Sequence, residues 1–241
     1  MLQVERLCKR FGGVVAVSDV SFQVPPGIIA SIIGPNGAGK TTIFNLVTGF
    51  LKPDSGSVTF RARKITGDPP YRVCIRGMVR TFQISRPFLN VSVLENVTVG
   101  ALARCISVAE ARERARRVVD LVGLTGKREA YASELTVCDR KRLELARALA
   151  TEPVLLLLDE VMNGLTPTEM RGMVQLVRDI RAQGITIILI EHVMRAVMDL
   201  SDKVIVISNG RKIAEGPPQV IARDPLVIEA YLGEGTARAS G

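Results

Sequence analysis

The 241-residue chain has one histidine, few aromatic residues and no long apolar run. No stretch approaches the roughly 20 consecutive apolar residues of a bilayer-spanning helix. The N-terminus, MLQVERLCKRFGG, lacks the continuous apolar core of a secretory signal. A cytosolic chain is therefore expected. The four cysteines, Cys8, Cys74, Cys105 and Cys138, are scattered without metal-ligand spacing, which fits free thiols in a reducing compartment. Aromatics make up only 4% of the residues, few for stacking on single-stranded bases. A formal charge of +8 is compatible with nucleic acid or an anionic membrane surface. The charges are dispersed, however. The densest cluster, Arg112, Arg114, Arg116 and Arg117, alternates with Glu110 and Glu113. It reads as the solvated face of a helix, with a basic contact patch for lipid or a partner as the alternative. No internal repeat, low-complexity segment or N-K-x-D guanine reader is present, and the last absence argues against a GTPase.

What is present is the 47% apolar, 23% charged balance of an ordinary folded protein. The opening LQVERLCKRFGGVVAVSDVSFQV reads as antiparallel strands broken at Gly12-Gly13. IIASIIG reads as a buried strand followed by a helix over Ile43–Phe50, then a turn at KPDSG and one strand, SVTFRARKI. From Asn90 to Arg128 the chain is helical in tone, clearest in AEARERARRVVDLVGL. A helix over Val137–Thr151 leads to the strand VLLLLD. Then TEMRGMVQLVRDIRAQG and VMRAVMDLS read as helices, and ITIILIEH, KVIVISNG and RKIAEG as strands. Strands alternating with helices predict an α/β fold with a parallel sheet. The expectation is one domain. Its core and antiparallel β subdomain come from about 1–88 and 151–232, a helical subdomain from about 89–150, and a flexible tail from 233–241.

Two motifs carry chemistry. Gly34-Pro35-Asn36-Gly37-Ala38-Gly39-Lys40-Thr41, with Thr42 after it, satisfies G-x-x-x-x-G-K-[ST] between a strand and a helix. Glycines let the backbone wrap around phosphate with its N–H groups inward, and the helix N-terminus adds partial positive charge. Lys40 reaches the terminal phosphates and Thr41 offers a hydroxyl to Mg²⁺. The second motif is the end of VLLLLDE. Asp159, closing a buried strand, suits the Mg²⁺ shell, and Glu160 suits polarisation of an attacking water. The alternative for Glu160 is a cap on the following turn.

The ordered set of the phosphate loop, RTFQ with Gln83, LTVCD, LLLLDE and IEH with His192 resembles the ATP-binding cassette family over nearly the whole chain. The resemblance implies that Gln83 touches Mg²⁺ or the lytic water and signals to a membrane partner. It implies that His192, the only histidine, bonds the γ-phosphate. Phe11 stands where the family stacks an aromatic on adenine, although a core phenylalanine reads equally well there. KRFGGVVAVSDVSF, VRTFQISRPFLNVSVLENVTVG, RKRLELARALAT, LIEH and DPLVIEAYLGE are similar, more narrowly, to the cassettes of branched-chain amino acid importers.

Several positions depart from the family pattern. Val161 follows Glu160 where proline is usual, Thr166 replaces an acidic or amide residue, and Val193 replaces the Asp often found after the histidine. Leu135-Thr136-Val137-Cys138-Asp139 stands in place of the glycine-rich serine signature that faces the γ-phosphate of the opposite subunit. Thr136 keeps a hydroxyl, and T-x-x-D preserves a helix cap. Val137 and Cys138 bring Cβ atoms where glycine leaves room. Asp139 adds negative charge, which Arg140, Lys141 and Arg142 are placed to offset. A modified working signature is expected, and a degenerate one served by a better partner subunit is the alternative.

The resemblance implies an ATP-hydrolysing subunit that binds ATP with Mg²⁺ at the cytoplasmic face of the cell membrane. It pairs with a second cassette and grips transmembrane permease subunits, with an extracytoplasmic solute-binding protein as an indirect partner and no nucleic acid. Phe88 and Leu89 are candidates for the permease contact. Competing readings are a soluble repair or translation ATPase of the same family, or a nucleotide sensor with little turnover. The absence of long coiled coils, zinc modules or a second cassette speaks against the first, and Glu160 with His192 against the second.

Overall fold

The computed structural model describes residues 1–82 and 87–238, the stretch from 232 to 238 by its backbone alone. Among the described residues, the strands form two sheets. In the first, β1 (Leu2–Phe11) lies between β2 (Val14–Val24) and β4 (Ser55–Phe60), with β5 (Arg63–Lys64) outside β4, all antiparallel. The expected single strand SVTFRARKI is instead a hairpin. Arg61 and Ala62 have φ of 49° and 60°, and two successive positive φ values make the tight turn that reverses a strand pair.

The second sheet runs β10-β9-β3-β8-β7-β6. Its members are β3 (Ile29–Ile33), β6 (Met78–Arg80), β7 (Leu155–Asp159), β8 (Thr186–Ile190), β9 (Lys203–Ser208) and β10 (Arg211–Gly216). All neighbours are parallel except β9 and β10. The four leucines of β7 show why this sheet is central. Leu155 and Leu157 join the core against the antiparallel sheet, with Phe22, Val58 and Phe60. Leu156 and Leu158 join the opposite core, with Met173, Val177 and Ile180. Side chains alternate along a strand, so a strand buried on both faces must be apolar throughout. Each such leucine contributes roughly 2 kcal/mol of hydrophobic burial.

Helix α1 (Lys40–Val47) starts earlier than the expected Ile43, because the phosphate-loop motif itself opens the helix. Next come α2 (Pro70–Ile75), then α3 (Val93–Ala101), α4 (Val108–Leu121) and α5 (Val137–Leu149), which pack together as the helical subdomain. Helix α4 buries Ala111, Ala115 and Val119 and pairs its charges, the half-buried Arg114 with Glu110 and Glu152, and the exposed Arg116 and Arg117 with Glu113. The arginine cluster is thus a solvated helix face. Helices α6 (Pro167–Ala182), α7 (Met194–Leu200) and α8 (Pro218–Ile221) complete the core. Helix α9 (Pro225–Arg238) extends into the segment expected as a tail, and 239–241 lie outside the described residues.

Two departures from the family pattern have local reasons. Thr166 caps α6, its hydroxyl accepting from the Glu169 amide and donating to the Glu169 carboxylate at 2.7 Å. Val161 is buried in the core between the sheet and α6.

Candidate functional site

The ends of three parallel strands meet in register. Ile32 of β3 pairs with Ile190 of β8, which pairs with Asp159 of β7. Residues leaving these ends converge on the carboxyl edge of the sheet, where open α/β sheets bind ligands.

From β3 the chain enters the loop Gly34–Gly39. Gly34 and Gly39 have φ of 150° and 104°, and a Cβ on them would lie 1.9 Å from the Ile207 carbonyl oxygen and 2.4 Å from that of Ala16. The loop therefore accepts only glycine at these positions. Pro35 accepts a bond from the Ala38 amide, and Ala38 accepts one from Gly210, which locks the loop to the β9–β10 turn. Helix α1 follows with Gly39 as its cap, no side-chain cap bond and no acidic residue in its first turn. Asn36 and Gly37 lie on this loop, and Thr41 and Thr42 in the first turn of α1. Its Lys40 is buried, donating to the Gly34 and Pro35 carbonyls at 2.7 Å each. A positive helix end with a buried ammonium beside it is a site for phosphate oxygens. Ala16, which abuts Gly39, belongs to the same hairpin as Phe11, whose ring is exposed with the Lys9 ammonium 5.7 Å from its centre.

Asp159, 1% exposed, pairs with Arg80 at 2.7 Å through Oδ2. Its Oδ1 is buried without a hydrogen-bond partner. Burial pushes the Asp159 carboxyl up, against the opposing pull of Arg80. An unsatisfied buried carboxylate oxygen at a phosphate loop fits a divalent cation reached directly or through water. Arg80 also bonds Asn45 on α1 and lies 5.5 Å and 5.2 Å from the rings of Phe44 and Phe82. It thereby joins β6, β7 and α1. Gln83, the expected loop glutamine, lies outside the described residues.

Glu160 and His192, distant in sequence, are in hydrogen-bond contact through Oε1 and Nε2. An ionised carboxylate only accepts, so the imidazole N–H is the donor to it. The Glu160 side chain is 9% exposed and that of His192 40%. The pair thus sits at the mouth of the site beside Asp159.

The LTVCD segment begins α5. Leu135 is buried, and Thr136 is the cap. The Thr136 hydroxyl accepts from the Asp139 amide at 3.2 Å and donates to Asp139 Oδ2 at 2.7 Å, so its proton is engaged at home. Val137 is 59% exposed whereas Cys138 is 7% exposed, so only Val137 crowds the outer surface. The charge of Asp139 is balanced differently from expectation. Lys127 pairs with it at 2.5 Å, while Arg140, Lys141 and Arg142 bond the carbonyls of Ser133, Glu160 and Val122. Helical spacing turns Arg140 and Lys141 away from Asp139, and Arg142, one turn on, is held by the Val122 carbonyl. Burial raises the Asp139 carboxyl, but its bonds from Lys127 and Thr136 outweigh that and hold it below the usual range. A cavity of about 220 Å³ separates α5 from β7, lined by Thr81, Phe82, Val137, Lys141, Glu144 and Asp159.

Sequence reasoning passed over Arg80, and over Glu191 at the end of β8. Glu191 is 2% exposed, accepts from the Met162 amide at 2.9 Å, and is pushed up to about 7 by burial. A carboxylate closing a buried apolar strand was the signal that singled out Asp159, and ITIILIE carries it too.

Among the described residues no helix is long and apolar enough to cross a membrane. The ABC transporter family model matches residues 17–163, and that of the branched-chain amino acid ATP-binding cassette transporter C-terminal segment matches 211–237. The chain is 40% identical to the high-affinity branched-chain amino acid transport ATP-binding protein LivG of Salmonella typhimurium, over 97% of this chain and 98% of that protein. It superposes on a nucleotide-free ATP-binding cassette from an ABC transporter with a TM-score of 0.88 and 33% identity, covering 96% and 98% of the two chains. The ADP conformation of the cassette MJ1267 gives a TM-score of 0.88 and 34% identity, covering 97% and 98%. These relatives do not favour a soluble repair or translation ATPase. The phosphate loop, the converging carboxylates and these likenesses agree, and the chain belongs to the ATP-binding cassette family as a nucleotide-binding ATPase of the ABC transporters.

Proposed function

We propose that this ATPase drives an importer for branched-chain amino acids or a related small hydrophilic solute, working with Mg²⁺ from the cytoplasmic face of the cell membrane. The names of its relatives support the solute class. The observation that carries the chemistry is the Glu160–His192 contact beside Asp159, whose Oδ1 is buried and unpartnered.

In this mechanism the loop amides and Lys40 hold the phosphate chain of ATP. Thr41 and Asp159, with Gln83, would hold Mg²⁺, and the ion would supply charge neutralisation for the transferred phosphoryl group. Arg80 fixes the Asp159 carboxylate through Oδ2 and leaves Oδ1 for the cation. Glu160 takes the proton of the attacking water, and His192 orients that carboxylate. Phe11 lies against adenine. A second cassette presents its own α5 start across the interface, and this chain returns the favourable helix end to its partner. The exposed Phe88 and Leu89 face transmembrane permease subunits, which receive solute from an extracytoplasmic binding protein.

The test is Glu160→Gln. The variant keeps ATP affinity but loses turnover by about 10²-fold or more, and it accumulates an ATP-bound dimer by size-exclusion chromatography. Turnover near the wild-type rate rejects Glu160 as the base.

A further inference from the structure

We propose that Lys141 is a positioning residue for Glu160, tying the catalytic segment to α5 so that the signature helix and the water-activating carboxylate hold one geometry within a single chain. This rests on the reading of Glu160 as the base.

Glu160 has φ of 52°, in the left-handed region that a residue with a Cβ enters at a cost of about 1–2 kcal/mol. Such a conformation persists only where its surroundings over-determine it. Beside the local turn bond from the Asn163 amide to the Glu160 carbonyl at 3.3 Å, three bonds from other elements do so here. The Glu160 amide donates to the Ile190 carbonyl at 2.9 Å. The Glu160 carbonyl accepts from Lys141 Nζ at 2.9 Å. Two residues on, the Met162 amide donates to the buried Glu191 at 2.9 Å. The first and third bonds come from β8 and its end, inside the core. The second crosses from the helical subdomain, and is the only one of the three that does.

Lys141 is poorly placed to be a mere surface charge. Burial pushes its ammonium down, and Glu191, Glu144 and Glu160 are the nearby acids that oppose this. Among the described residues it forms no salt bridge, and its hydrogen bond goes to a peptide carbonyl. A desolvated ammonium bonded to a peptide oxygen holds that peptide in place, since breaking the bond leaves a buried charge unsatisfied.

The rest of the same helix face points the same way. Glu144, three residues on and thus a neighbour on the face, accepts from the Phe82 amide at 3.1 Å. One turn of α5 therefore grips the exits of both β6 and β7. Lys141 lies five residues after the Thr136 cap, about 7–8 Å along the helix. A displacement of the α5 start is thereby carried to the Glu160 peptide without passing through the partner subunit.

The experiment uses the purified full-length chain with Mg-ATP, comparing wild type, Lys141→Met, Lys141→Arg and Glu160→Gln. For each, kcat and KM are measured, with the affinity for a fluorescent ATP analogue and amide hydrogen exchange. The expected result is a roughly tenfold to hundredfold fall in kcat for Lys141→Met. KM and analogue affinity stay within about twofold, and exchange accelerates at Val161–Asn163 alone. Lys141→Arg, which keeps a donor at the same reach, recovers most of the lost turnover. Wild-type kcat in Lys141→Met with an inactive Glu160→Gln overturns the positioning role and leaves Glu160 as the base. Turnover in Glu160→Gln overturns the reading beneath it. A uniform rise in exchange with loss of nucleotide affinity shows a general destabilisation, and also overturns the proposal.

Discussion

Two helices of this chain begin where phosphate is expected, and they begin differently. Helix α1 has a glycine cap, no side-chain cap bond and no acidic residue in its first turn. Helix α5 is capped by Thr136, carries Asp139 in its first turn, and has Lys127 paired to that carboxylate. The start of α1 leaves its backbone donors and dipole for a bound anion. The start of α5 supplies its own anion and its own counter-cation. Strict shape thus governs the first, where a Cβ on Gly34 or Gly39 meets a backbone oxygen, and side-chain charge governs the second. A helix end that serves phosphate within its own chain must be complete before the ligand comes. One that serves a neighbouring chain is exposed until dimerisation, and satisfying itself locally keeps it folded meanwhile.

The largest effect should come from the α1 end. Lys40→Met removes the ammonium that lies against the loop carbonyls and leaves the loop backbone in place. Turnover should fall by about 10²-fold or more, the usual cost of one preorganised charge donor to a phosphoryl group. Thermal stability should fall less conspicuously, by about 1–3 kcal/mol, since the buried Gly34 carbonyl loses a donor. ATPase rates with melting curves check this. A variant that unfolds instead of merely losing turnover would show that Lys40 is holding the loop up, and would erase the contrast with α5.

The same contrast explains what could be read in advance. The phosphate loop, Asp159 and Glu160 announce themselves through local spacing and through polar groups at the ends of apolar strands, whereas a lone histidine carries no such signal and His192 stood out through the family resemblance alone. The boundaries of α5 were legible for a similar reason, since a cap and a helix period are local signals. The hairpin at Arg61-Ala62 was missed because no glycine or asparagine marks its positive φ values. The short β6 was missed because only pairing with β7 defines it. Arg80 and Lys141 were invisible as site residues because their partners, Asp159 and the Glu160 carbonyl, are 79 and 19 residues away. Lys141 in particular looked like a counter-charge for Asp139. Neighbours in sequence are not neighbours on a helix, and Lys127 holds that place instead.

A smaller effect should separate the charge-held end by its response to pH. Lys141 of α5 faces Glu160 and Glu191, and burial pushes Glu191 up to about 7 from an ordinary 4.5. The folded state then holds this proton more tightly than the unfolded one. The associated stability is complete below about pH 4.5 and is lost as pH rises through about 7, a change of up to about 3 kcal/mol. Glu191→Gln keeps an acceptor for the Met162 amide and has no proton to lose. Its stability relative to wild type should therefore improve between about pH 5 and pH 8, as read from denaturant midpoints. An offset that is the same at both pH values means that Glu191 does not carry the proton.

The smallest effect bears most directly on the α5 end. Asp139→Asn keeps an oxygen for the Thr136 hydroxyl and removes the charge that would face a neighbour's phosphate. The exposed pair with Lys127 is worth no more than about 1 kcal/mol, so stability should barely move. Freed of its partner, Lys127 would face the interface as an unpaired cation, and the helix end would become more like that of α1. Turnover at concentrations that favour the dimer should then rise by about twofold to fivefold, the size expected of one screened charge near a phosphate, and the gain should shrink with added salt. Thr136→Ala is the control, because it removes the cap itself at a cost of about 1 kcal/mol. If Asp139→Asn leaves turnover and its salt dependence unchanged while Thr136→Ala costs only stability, the α5 start is a capped helix end without a phosphate to serve. The two helix starts would then differ in kind rather than in degree.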